Sequence, residues 1–76
     1  MRFSQHARKR LILRGIEEAD VDAVLREPTR IERIRPNATS FYGRALDGRA
    51  IVVSVADQPD DLIITVMLDE SQEQQA

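Results

Sequence analysis

The chain has 76 residues, a formal net charge of −2 and no cysteine. That length holds one domain with a modest core, and the missing thiols exclude disulfide staples and thiolate metal sites. No run of about 18 apolar residues is present to span a bilayer, and the start, Met1 to His6, lacks the apolar segment of a secretory signal, so a cytoplasmic protein is expected. The charge is unevenly placed. All eleven Lys and Arg lie between Arg2 and Arg49; with seven acids, residues 1–50 carry +4, whereas residues 51–76 have six acids and no base, −6. Ten of the eleven bases are Arg, the fork-shaped donor suited to phosphate, although such an excess also fits a solvated helix face.

Ser4 is a good N-cap for a helix over Gln5 to Arg14, with Gly15 closing it in the left-handed conformation. Phe3, Ala7 and Leu11 follow at i+4 spacing and form its buried stripe. A second helix, Glu18 to Arg26, has Val21, Val24 and Leu25 as its apolar face. Glu17, Glu18, Asp20 and Asp22 crowd its start, where the helix dipole favours anions, and Pro28 ends it.

Beyond Pro28 the apolar period changes to two. Thr29 to Arg35 reads as an edge or bulged strand, because Ile31 and Ile34 are out of phase. Ser40 to Leu46 and Arg49 to Ala56 read as a hairpin across Asp47-Gly48. Leu62 to Leu68 is the last strand, after a turn at Gln58-Pro59-Asp60-Asp61. Residues 69–76 read as a flexible acidic tail after a domain over 1–68. The fold class is therefore α+β, two N-terminal helices on a four-stranded antiparallel sheet.

A two-residue turn sets Arg44 opposite Ile51 and Tyr42 opposite Val53, on the bulkier face assigned to the helices together with Leu46, Arg49 and Val55. Phe41, Gly43, Ala45, Ala50, Val52 and Ser54 fall on the far face. Leu62, Ile64, Val66 and Leu68 are expected to point inward, and Ile63, Thr65 and Met67 outward. The far face then looks too apolar for water and suits a partner or a second copy.

His6, Arg10 and Arg14 are spaced by four and form a ladder beside the buried stripe. His6 is the only histidine, and imidazole titrates near neutrality. A neutral imidazole among guanidiniums can take the proton of a 2′-hydroxyl while the cations hold the phosphoryl oxygens. The plainer reading is a first-turn histidine bonded to backbone. Tyr42 could stack a base with Arg44 and Arg49 holding phosphate, or lie over the core with its hydroxyl in water. Arg30, Arg33 and Arg35 read as protection of the edge strand or as a diffuse nucleic-acid contact. No metal-ligand spacing and no phosphate-cradling loop occurs, so neither metal nor cofactor is expected.

The run Ser4-Gln5-His6-Ala7, then Arg10, then Arg14-Gly15-Ile16, then the acidic helix ending at Pro28, is one half of a pattern. Tyr42-Gly43, Asp47-Gly48-Arg49 and Ile63-Ile64-Thr65-Val66 are the other. Together they resemble a family of small bacterial domains of unknown function, grouped with the RelE/ParE-like toxin superfamily, over about residues 3–68. The resemblance implies helices packed on a four-stranded sheet, an mRNA-cleaving activity, possible ribosome association and neutralisation by an antitoxin. His6, Arg10, Tyr42, Arg49 and Thr65 match motif positions, Arg14 belongs to the Arg-Gly-Ile turn, and Arg44 is added from its expected face. The first expectation is an endoribonuclease using metal-free general acid/base chemistry, with His6, Arg10, Arg44 and Arg49 as catalytic residues and Arg14, Tyr42 and Thr65 binding RNA. The alternative is a non-catalytic protein-binding module or homodimer of the same fold.

Overall fold

The computed structural model describes residues 1–58 and 61–70. Ser4 caps the helix α1, Gln5–Arg14: its Oγ accepts from Ala7 N at 3.0 Å and donates to Ile64 O at 2.8 Å. One side chain thus starts the helix and ties it to the last strand. Gly15, at φ 62°, ends α1 with its N–H on the Ile12 carbonyl, a backbone region that penalises a Cβ. The helix α2, Glu18–Arg26, begins where Glu17 N donates to Asp20 Oδ2 at 2.9 Å. Both helices coincide with the expected ranges.

Five strands follow from the rest: β1 Arg2–Phe3, β2 Arg30–Arg35, β3 Ala38–Arg44, β4 Ala50–Ala56 and β5 Leu62–Leu68. They form one sheet in the order β1-β5-β4-β3-β2. The expected four-stranded antiparallel sheet is corrected by β1, which pairs parallel with β5 through Arg2↔Leu62 and Phe3↔Ile63. Two residues cannot display a period of two, so the strand left no sequence pattern. It is held by Arg2 N on Asp61 O and Ser4 N on Ile63 O, and by the Arg2 guanidinium on both Asp61 oxygens at 3.1 and 3.0 Å. That ion pair lowers the Asp61 carboxyl and raises Arg2 relative to their ordinary values.

The β3–β4 hairpin departs from expectation by one residue. Ala45 N donates to Arg49 O at 2.8 Å and Gly48 N to Ala45 O at 2.9 Å, so three residues, Leu46-Asp47-Gly48, make the loop. The register is therefore Arg44↔Ala50, Gly43↔Ile51, Tyr42↔Val52 and Phe41↔Val53. A slip of one residue exchanges the faces of a strand. Phe41, Gly43 and Ala45 face the helices, while Tyr42 and Arg44 lie on the far face, opposite to the assignment above. Gly43 must be small there, because a Cβ would come within 3.2 Å of Val24 Cγ1.

A second shift lies between Ser54/Val55, where Thr65 pairs with Ser54 but Ile63 with Val55. The extra residue, Ile64, takes up a bulge. Hence Ile63 is buried in the core and Ile64 turns to the far face, reversing their expected sides, while Val66 and Leu68 point inward as expected. The core between helices and sheet is Phe3, Ala7, Leu11, Ile16, Val21, Val24, Ala45, Ile51, Val53, Val55, Ile63 and Val66. The far face is mostly small: Ala38, Ser40, Ala50, Ser54 and Ala56 are buried between larger flanking side chains, and Ser40 and Ser54 share a hydroxyl hydrogen bond of 3.1 Å. It is less apolar than expected. Of the expected tail, Asp69 is buried, with its N–H on Ala50 O at 2.9 Å; residues 71–76, like Pro59 and Asp60 of the expected turn, lie outside the described residues. No helix among the described residues is long and apolar enough to cross a membrane.

Candidate functional site

Because Ala7 and Leu11 are buried against the sheet, the residues one position earlier, His6 and Arg10, emerge at the side of α1. His6 is exposed, and Arg10 Nε points at His6 Nε2 across 3.5 Å. In that arrangement Nε2 is the acceptor. Arg14, one turn on, joins Arg10, Met67, Leu68 and Glu70 around a cleft of about 320 Å³ between α1 and the end of β5. The ladder read from i+4 spacing is thus assembled on one side of α1.

Most of the arginines elsewhere on the surface are paired. Arg2, Arg8, Arg26, Arg30, Arg33 and Arg49 each pair with a carboxylate within 4.0 Å. Among the described residues Arg10 and Arg14 have no carboxylate within that reach. Two guanidiniums in no ion pair among the described residues, beside an exposed imidazole, make an anion-receptive strip with Glu70 at its edge.

Arg49 is otherwise engaged. Its Nη1 donates to Arg14 O and its Nη2 to Gly15 O, both at 2.7 Å, and its Nε to Asp47 Oδ2 at 2.7 Å. The guanidinium caps the carbonyl end of α1, where a cation is favoured, and fastens the hairpin to it. Asp47 also accepts from Arg49 N at 3.1 Å; these contacts hold its carboxyl below the ordinary value. The same corner holds Asp20, buried, whose Oδ1 accepts from Leu46 N at 2.9 Å while Oδ2 serves Glu17 N. Sequence reasoning took Asp20 for a dipole-favoured anion and missed that bridge. The i, i−3 relation of Asp20 to Glu17 was a readable capping signal; the partner at Leu46 had none.

The remaining candidates lie elsewhere. Arg44, on the far face, donates from Nη1 to Gly48 O at 3.0 Å. Tyr42 is on the same face with the Arg30 guanidinium 4.0 Å over its ring, and its hydroxyl donates to Glu32 Oε1 at 3.3 Å. Burial and the nearby Glu32 carboxylate raise the Tyr42 phenol. Thr65 also sits on the far face, in a groove with Ile34, Ala38, Ser54, Ala56 and Ile64. The structure therefore gathers His6, Arg10 and Arg14, and adds Glu70. Among the described residues no hydrogen bond or ion pair links His6 or Arg10 to Arg44, Arg49 or Tyr42. No group of three His, Asp or Glu side chains that could hold a metal ion occurs among the described residues.

Two helices on one face of a five-stranded mixed sheet, with a histidine and arginines along the first helix, define a small α+β domain with a basic helical flank. The chain belongs to the family described as Domain of unknown function (DUF4258), whose model matches residues 3–68. No curated protein and no solved structure matches the chain.

Proposed function

We propose that this chain is a small RelE-like endoribonuclease whose site is the outward side of α1, with an antitoxin protein as its natural antagonist. The observation that carries this reading is the set of Arg10 and Arg14, in no ion pair among the described residues, beside an exposed His6. In the proposed step, His6 Nε2 takes the proton of a ribose 2′-hydroxyl, and O2′ attacks the adjacent phosphorus. The P–O2′ bond forms as the P–O5′ bond breaks; the departing O5′ takes a proton from water, leaving a 2′,3′-cyclic phosphate and a 5′-hydroxyl. Arg10 holds the phosphoryl oxygens as charge grows on them, and Arg14 holds a neighbouring phosphate of the strand. Thr65, in the far-face groove, lies outside this site.

Relative to the sequence reading, Arg49 leaves the catalytic set because its nitrogens already serve the α1 carbonyls and Asp47. Arg44 and Tyr42 leave the site as well, since they lie on the far face and are engaged by Gly48 O and by Arg30 and Glu32. The test is cleavage of a single-stranded RNA by purified protein in chelator. Wild type should yield cyclic-phosphate ends, and His6→Ala should lose about 10²–10⁴-fold in rate while remaining folded. A folded His6→Ala protein that cuts as fast as wild type removes the assignment.

A second reading, a non-catalytic protein-binding module, is favoured by one observation. Ile12 and Leu46 are 82% and 71% exposed and line one cavity with Leu11 and Ile16. This reading expects no cleavage and a complex insensitive to salt, whereas RNA binding through arginines weakens steeply as salt rises.

A further inference from the structure

We propose that two copies of this chain associate by antiparallel pairing of β2 with β2, joining their sheets edge to edge. In the strand order β2 is the last member, paired only with β3. Its outer edge meets no strand among the described residues. Edge strands are ordinarily protected by charge, but here the charge is cancelled locally: Arg30 lies 3.7 Å from Glu32, and Arg33 2.8 Å from Asp57. Between them Ile31 is 58% exposed. An apolar residue beside arginines that are already paired is less protected than one beside open charges.

The occupant follows from the strand's own order of charges. Arg30 and Glu32 flank Ile31 and share a face, that of Tyr42 and Ser40 in β3. A two-fold axis through Ile31 sets Arg30 opposite Glu32 of the second copy and Glu32 opposite its Arg30. Ile31 meets Ile31, and Arg33 meets Thr29. Moving the axis to Arg30 or to Glu32 sets like charges against each other, which destabilises a ladder. The bulge between Arg33/Arg35 ends the regular edge just beyond this span, which limits slippage to other registers. One strand thus carries both halves of its complement, as an interface between identical subunits requires.

The experiment is sedimentation across micromolar to millimolar concentrations, with wild type, Arg30→Glu and Glu32→Arg. Wild type should show a concentration-dependent dimer. Each single variant should weaken it by about tenfold or more, since both symmetric pairs become like-charged. Mixed in equal amounts, the two variants should associate again, because one then offers two acids and the other two bases. The double variant R30E/E32R should dimerise as wild type does, which guards against a fold defect in either single one. A wild-type protein monomeric throughout, single variants that dimerise unchanged, or a mixture that stays monomeric would overturn the proposal.

Discussion

Arg49 and Arg10 are the same side chain at opposite ends of a contrast. Arg49, at the hairpin corner, spends its nitrogens on two carbonyls of the α1 terminus and on Asp47. Arg10, on the flank of α1, donates among the described residues to the ring nitrogen of His6 at 3.5 Å. The lesson is that an arginine's availability for phosphate depends on how many of its donors the fold already uses, not on its place in a motif. The corner is a fastening and the flank is an open electrostatic surface.

The sharpest way to break that contrast is to remove each arginine in turn and compare RNA binding and cleavage. Arg10→Ala should slow cleavage by about 10²-fold or more and flatten the salt dependence of affinity by about one phosphate contact. Arg49→Ala should lower the stability by only about 1 kcal/mol, read by denaturant unfolding, because exposed α1 carbonyls can turn to water, and should leave the salt slope unchanged. If Arg49→Ala flattens that slope as Arg10→Ala does, the two regions are not distinct.

The corner can be tested as a fastening without arginine. Asp20→Ala takes the acceptor from two amides, Glu17 N and Leu46 N, and should cost about 2–4 kcal/mol in chemical denaturation. Gly43→Val places branched carbons where even a Cβ lies 3.2 Å from Val24; overpacking between α2 and β3 should cost about 1–3 kcal/mol. Both variants should retain RNA binding at low temperature if the site is confined to α1.

Local physics made much of this architecture legible. Ser4, Gly15 and Pro28 mark the helix limits, and the i+4 rows placed both the buried stripe and the His6–Arg10–Arg14 ladder before any coordinates. What failed were decisions made at a distance. Asp47-Gly48 signalled a hairpin, but whether two or three residues form the loop depends on Asp20 reaching Leu46 and Arg49 reaching α1, neither of which is local. That one residue exchanged the sides of Tyr42, Gly43 and Arg44. The bulge at Ile64 likewise arises from pairing with β4 and from Ser4 taking its carbonyl, and β1 is too short to show a period. The grouping of candidate residues was legible where one helix carried them and failed where a strand register had to be assumed.

The smallest expected effect concerns Asp47. Its contacts with Arg49 hold the carboxyl below the ordinary value of 3.8, so the folded state prefers the ionised form. The stability this contributes is complete above the unfolded value and is lost as pH falls through the lower folded one. Asp61 is lowered in the same way by Arg2, so a raw curve of melting temperature against pH mixes both groups. The difference between wild type and Asp47→Asn isolates one: positive near neutrality, shrinking through the acid range, and small because the pair is open to solvent. High salt should shrink the difference as acid does. A difference independent of both pH and salt would mean that Asp47 acts through the shape of the loop rather than its charge, and that the corner is fastened by hydrogen bonds alone.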